Sequence, residues 1–167
     1  MQAVGSGLQG EKMIRHNKIL VPFDFSDEAT EAVRRAAVLA AQFDAELHLL
    51  HVLAPSVYFE TDMVSIPPLD EVNHAVHDGA VHRLQALAEQ LDFDVTTHVE
   101  ESTGDPARLI CNFAKSLPAD LIVIGRHHEK GVIEHMLTGS TSERVVAHAP
   151  CSVLVTMPHD LLEEMLG

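Results

Sequence analysis

Two short stretches hold residue types that could grip a phosphorylated ligand. One is Gly125-Arg126-His127-His128-Glu129-Lys130-Gly131; the other is Gly139-Ser140-Thr141-Ser142, which opens a helical pattern. Backbone N–H groups at a helix N-terminus point outward and carry partial positive charge. The second stretch therefore suits phosphate oxygens, with glycine allowing close approach and the hydroxyls adding donors. The same residues have a self-contained reading. Ser140-Thr141-Ser142-Glu143 is a capping box, in which Ser140 and Glu143 satisfy free amides of the first turn without any ligand. A third candidate is Asp24, within Pro22-Phe23-Asp24-Phe25-Ser26. It reads equally as a turn residue closing a strand and as a ligand contact.

The common nucleotide signatures are missing: no G-x-G-x-x-G follows the first strand and no G-x-x-x-x-G-K-[ST] occurs. No catalytic constellation is expected. Ser140 lacks the strand-turn-helix elbow of a hydrolase nucleophile, and spacing assigns it no histidine. An ATPase would need a group to place Mg²⁺ and a water, and Asp24 is the one on offer.

The chain has 12 histidines, which raises the question of metal. His74, Asp78 and His82 share a helix face, with His77 beside them, but His74 and His82 are about 12 Å apart along the axis. One ion cannot bridge that span without another chain, so these are read as solvated histidines and no metal site is expected. His127-His128 has Glu129 as its one nearby carboxylate. His51 ends an interior strand and is read as a satisfied core residue.

These residues need a scaffold. Lys18 to Pro22 is a short apolar run, a buried strand. Ser26-Asp27-Glu28 starts a helix with a cap hydroxyl and two acids, and Ala29, Ala32, Val33, Ala36 and Ala40 carry it to about Gln42. Glu46 to Leu53 is a second strand. Residues 54–68 have no clear period and connect. Asp70 to Leu91 is a long helix with Val76, Ala80, Leu84, Leu87 and Ala88 on one face, and Phe93 to Glu100 is a third strand. Asp105-Pro106 pairs an N-cap with proline at the first helical position, followed by Leu109, Ile110, Phe113, Ala114 and Leu117 on one face. Leu121 to Ile124 is a fourth strand. A long loop leads to Ser140, a helix to about His148, and a last strand, Ser152 to Thr156.

Strands alternating with helices, and apolar along their length, predict an α/β fold: an open five-stranded parallel sheet with helices on both faces. Such sheets take ligands beyond the carboxyl ends of strands, where strand order reverses. If the first and fourth strands are neighbours, Asp24 and the Gly125 loop face each other there. The 167 residues fit one domain. It is expected over residues 17–157, between a glycine-bearing flexible tail at 1–16 and a short tail at 158–167.

Charge narrows the partners. With 25 acidic against 11 basic residues the formal charge is −14, a field that repels nucleic acid and anionic membranes. A phosphate must then be held by local geometry. Cys111 and Cys151 sit in apolar patterns without metal-type spacing and read as reduced, buried thiols in a cytoplasmic protein.

The segments Ile19 to Ser26, Leu49-Leu50-His51-Val52, Gly104-Asp105-Pro106 and Ala119 to Gly125 resemble those of the universal stress proteins. So do Gly139 to Val146 and Ala149 to Val155. The likeness covers Lys18 to Thr156 in order, and it implies the Rossmann-like, adenine nucleotide alpha hydrolase-like fold. One branch of that family binds ATP or AMP through G-x-x-G-x9-G-[ST]. Gly125 matches the first glycine and Gly139-Ser140 the last pair. His128 stands at the second glycine, with ten residues rather than nine before Gly139. By resemblance Pro22, Asp24 and Leu47 line the adenosine end. Gly125, Gly139, Ser140, Thr141 and Ser142 line the ribose and phosphates, with His128 in the loop and Arg126 and Lys130 as nearby cations. The implied cofactor is ATP or AMP with Mg²⁺, and the implied partner a second copy through the last strand. The alternative is a nucleotide-free dimeric interaction module, which His128 and the added residue favour.

Overall fold

The computed structural model describes residues 17–53, 69–91, 93–102, 104–126 and 141–157. β1 (Lys18–Pro22) is buried from Ile19 onward, as a central parallel strand with helices on both faces must be. Ser26 then caps α1 (Asp27–Phe43): its backbone is extended, and its Oγ accepts from the Ala29 amide at 3.1 Å. Asp27 and Glu28 follow in the first turn, beside the positive end of the helix dipole. The helix stops at Asp44, which takes the left-handed conformation (φ 55°) and donates its N–H to the Ala40 carbonyl. Aspartate tolerates that region better than most residues.

β2 (Glu46–Leu53), α2 (Leu69–Glu89) and β3 (Val95–Glu101) follow, then α3 (Pro106–Ser116), β4 (Leu121–Gly125), α4 (Thr141–His148) and β5 (Ser152–Thr156). The predicted order of elements is the observed one, with ends shifted by one or two residues. The expected N-cap of α3 is present: Asp105 Oδ1 accepts from the Ala107 amide at 3.1 Å, with Pro106 in the first turn.

All strand pairs are parallel, in the order β3-β2-β1-β4-β5. Side chains alternate across the sheet, which divides the core in two. Ile19, Val21, Leu47, Leu49, Leu121 and Val123 pack under the alanine stripe of α1 and Leu84 of α2. Leu20, Leu50, Ile122 and Ile124 pack under Ala107, Ile110, Cys111 and Ala114 of α3 and Val145 of α4. Small residues on α1 let its axis lie close to the sheet.

Two sequence expectations are corrected. Val76 is 44% exposed, because the buried stripe of α2 begins at Ala80 and runs through Leu84. Cys151 is only partly buried, whereas Cys111 is buried; both thiols are free. Burial is the main influence pushing each thiol's pKa up, so both stay protonated and weakly nucleophilic. No helix among the described residues is long and apolar enough to cross a membrane.

Candidate functional site

Strand order reverses between β1 and β4, which hydrogen-bond side by side with Ile19 opposite Leu121 and Leu20 opposite Ile122. The condition set by the sequence is therefore met. The turn after Pro22 and the end of β4 at Gly125 flank one crevice at the carboxyl edge of the sheet. β2 borders β1 on the side away from β4. Pro22 lies opposite Leu50, so His51, Val52 and Leu53 overhang the end of β1 by about 10 Å.

The turn is built by Asp24. Its Oδ1 accepts from the Ser26 amide at 3.0 Å and also from the Ser26 hydroxyl. This Asx turn fulfils the turn reading of Asp24, while the residue stays exposed at the crevice. Between them Phe25 adopts a left-handed backbone, φ 66°, which costs a bulky residue about 1–2 kcal/mol. Contacts offset that cost. The Phe25 ring meets Phe23 edge-on at 5.1 Å and His51 at 4.8 Å, and the Arg83 guanidinium lies 3.8 Å over it. His51 Nδ1–H donates to the Phe23 carbonyl at 2.7 Å, which fixes its tautomer and satisfies it as expected, although the residue is only partly buried and overhangs β1 rather than lying in the core.

Gly125 has a structural reason to be glycine. A β-carbon there would lie 2.6 Å from both the carbonyl carbon and oxygen of Glu28 and 3.0 Å from the Ala29 nitrogen. The end of β4 thus rests directly on the first turn of α1. Arg126 leaves the crevice: its amide donates to the Thr156 carbonyl at 2.9 Å, and its guanidinium lies 3.9 Å from Met157 Sδ, on the β5 side.

At the start of α4, Thr141 is exposed and Ser142 buried. Arg144 ties this helix to α3 through an ion pair with the Asp105 carboxylate, and His148 Nδ1 sits 2.9 Å from the Arg144 carbonyl. His128, Gly139 and Ser140, like Lys130, lie outside the described residues.

Leu47 is not part of the crevice. It pairs with Ile19 near the amino end of β2 and is 1% exposed within the core under α1. The residues that do reach the crevice from β2 are His51 to Leu53. Half of their signal was in the sequence: an eight-residue strand beside a five-residue one must overhang it, but the register decides at which end. Arg83 had no such signal, since only tertiary packing brings α2 to the turn.

Other features fit a ligand less well. A depression of about 800 Å³ at the amino ends of β2 and β3 is lined by Asp44, Glu46 and Asp94, so it repels anions and lies at the wrong edge of the sheet. Among the described residues no three His, Cys, Asp or Glu converge as metal ligands. His74, Asp78 and His82 are exposed along α2.

The match to known proteins agrees with this architecture. The family model for the universal stress protein family matches residues 15–156. Universal stress protein MJ0531 of Methanocaldococcus jannaschii is 34% identical over 84% of this chain and 81% of its own length. The structure of universal stress protein UspA from Lactobacillus plantarum superimposes with a TM-score of 0.60 at 33% identity, covering 84% of this chain and 97% of that one. A universal stress protein family protein from Arabidopsis thaliana, solved with AMP bound, has the same fold. Its TM-score is 0.56 at 24% identity, over 87% and 94% of the two chains. The chain belongs to the universal stress protein family.

Proposed function

We propose that this chain is a small regulatory stress protein whose state is set by ATP or AMP bound across the carboxyl ends of β1 and β4. The observation that carries the reading is the reversal of strand order there, with the exposed Asp24 turn on one side and the β2 overhang on the other. The Arabidopsis protein with AMP bound supports it by fold.

The residues present fit such a ligand in part. The overhanging tip of β2 and the Phe25 cluster offer apolar surface for a base. Asp24 supplies a carboxylate for a ribose hydroxyl or for Mg²⁺ carried by ATP. Thr141 at the start of α4 lies where helix amides favour phosphate. Gly139, Ser140 and His128 complete the phosphate end in this reading. Arg126, turned toward β5, takes no part, and neither does Leu47. The proposed role is regulatory rather than catalytic and the proposed location cytoplasmic; among the described residues the chemistry on offer at this edge is binding, through Asp24 and Thr141.

A second copy is proposed to pair along β5. This edge strand leaves Leu154 and Val155 38% and 40% exposed, and Val146 on α4 53% exposed, an apolar edge that pairing would cover.

The test is direct. Purified protein is heat-denatured and the released small molecules are chromatographed, and melting is followed with and without ATP–Mg²⁺. Released AMP or ATP, or a rise in Tm of several degrees, is expected. Neither signal would leave the family's nucleotide-free, protein-binding mode as the reading.

A further inference from the structure

Arg83 is an exposed cation on α2 whose guanidinium lies over Phe25 and, among the described residues, pairs with no carboxylate. In a chain with 25 acidic residues, an arginine spent on an aromatic face is unexpected unless the ring needs holding. Phe25 does need holding, because its left-handed backbone is disfavoured for a bulky side chain. Its other partners, Phe23 and His51, are fixed to the sheet. Arg83 is the charged contact on the ring and reaches the turn from α2.

Phe25 is flanked by the two residues that form the turn. Ser26 donates to Asp24 and at the same time caps α1. Rotation of Phe25 out of the left-handed region would pull both, and the Asp24 carboxylate would lose its fixed direction over the crevice. We propose that Arg83 is a positioning residue: acting through Phe25, it sets the turn that carries Asp24 and thereby the affinity of the crevice for adenine nucleotide. The affinity part rests on the nucleotide reading above; the positioning part does not.

The experiment uses the full chain as wild type, Arg83→Ala, Arg83→Gln and Arg83→Lys. Two readouts are taken: hydrogen exchange of the Ser26 amide by NMR, and ATP–Mg²⁺ affinity by calorimetry. In Arg83→Ala the Ser26 amide should exchange about 3- to 10-fold faster and ATP should bind weaker by a similar factor, the range of one partly exposed cation–π contact. Lys should restore both and Gln neither, because the ring attracts charge. A general loss of stability would instead speed exchange across all core amides, and Ala and Gln would then fail together with Lys. Unchanged Ser26 exchange in Arg83→Ala, or rescue by Gln equal to that by Lys, overturns the proposal. If wild type binds no ATP, the nucleotide reading fails, and Ser26 exchange decides the positioning claim either way.

Discussion

Gly125 stands against the backbone of Glu28 so closely that a β-carbon at position 125 would lie 2.6 Å from the Glu28 carbonyl oxygen. The atoms met are main-chain atoms in the first turn of α1, which cannot rotate aside. Gly125→Ala should therefore destabilise the fold by about 1–3 kcal/mol through overpacking. That corresponds to a fall in Tm of roughly 3–10 °C for a chain of this size. Urea unfolding without any nucleotide checks it. A variant as stable as wild type would return Gly125 to a purely ligand-facing role.

This relationship marks the boundary of what could be read in the sequence. The elements were legible because their signals are local: the apolar run of β1, the Ser26 and Asp105 caps, the alanine stripe of α1. The Asx turn was legible for the same reason, since Asp24 and Ser26 are two residues apart. Gly125 was matched to a nucleotide-motif glycine by resemblance, and its packing against Glu28 was not legible because Glu28 is remote in sequence. Leu47 was misassigned because a strand's pattern fixes its faces but not its register, and register decides which residues overhang. Arg83 and Phe25 meet only when α2 docks. The pairing of His48 with His98 likewise depends on how β2 and β3 align.

That histidine pair predicts a pH dependence. His48 Nδ1 lies 3.2 Å from His98 Nε2, and His48 Nε2 lies 3.3 Å from Glu46 Oε2. Glu46 is also within 3.5 Å of Lys18 Nζ. His98 packs edge-on against Phe113. Burial first, and the neighbouring His48 second, hold the His98 pKa below the ordinary imidazole value. The unfolded chain then binds the proton more readily than the folded one. The contribution is complete above about pH 6.5 and is lost as pH falls through the folded pKa. Urea midpoints measured from pH 7.5 to 5 should fall for wild type, and the fall should be shallower in His98→Gln. Parallel curves would refute it.

The β5 edge gives a test of assembly. Val155 is 40% exposed, so Val155→Lys should leave monomer stability within about 0.5 kcal/mol. A lysine on an edge strand opposes pairing with a second strand. Light scattering after size exclusion should show wild type at twice the chain mass and the variant at the monomer mass. A wild-type monomer, or a variant that still dimerises, excludes β5 as the contact.

Asp24 carries two possible duties that one pair of substitutions separates. Its Oδ1 accepts from Ser26, and an asparagine oxygen can do the same, so Asp24→Asn should keep the turn and the Tm. Asp24→Ala removes the acceptor and should cost about 0.5–1.5 kcal/mol. Binding sorts differently. A carboxylate that holds a ribose hydroxyl or Mg²⁺ acts through its charge, and losing a charge-assisted bond weakens ATP about 10- to 100-fold. Asp24→Asn is thus expected to be stable and deficient in binding, whereas Asp24→Ala loses both. Calorimetry with ATP–Mg²⁺ beside urea unfolding reads the two effects independently. Full binding by Asp24→Asn would reduce Asp24 to a turn residue and move the ligand's anchor to the β2 overhang and the start of α4.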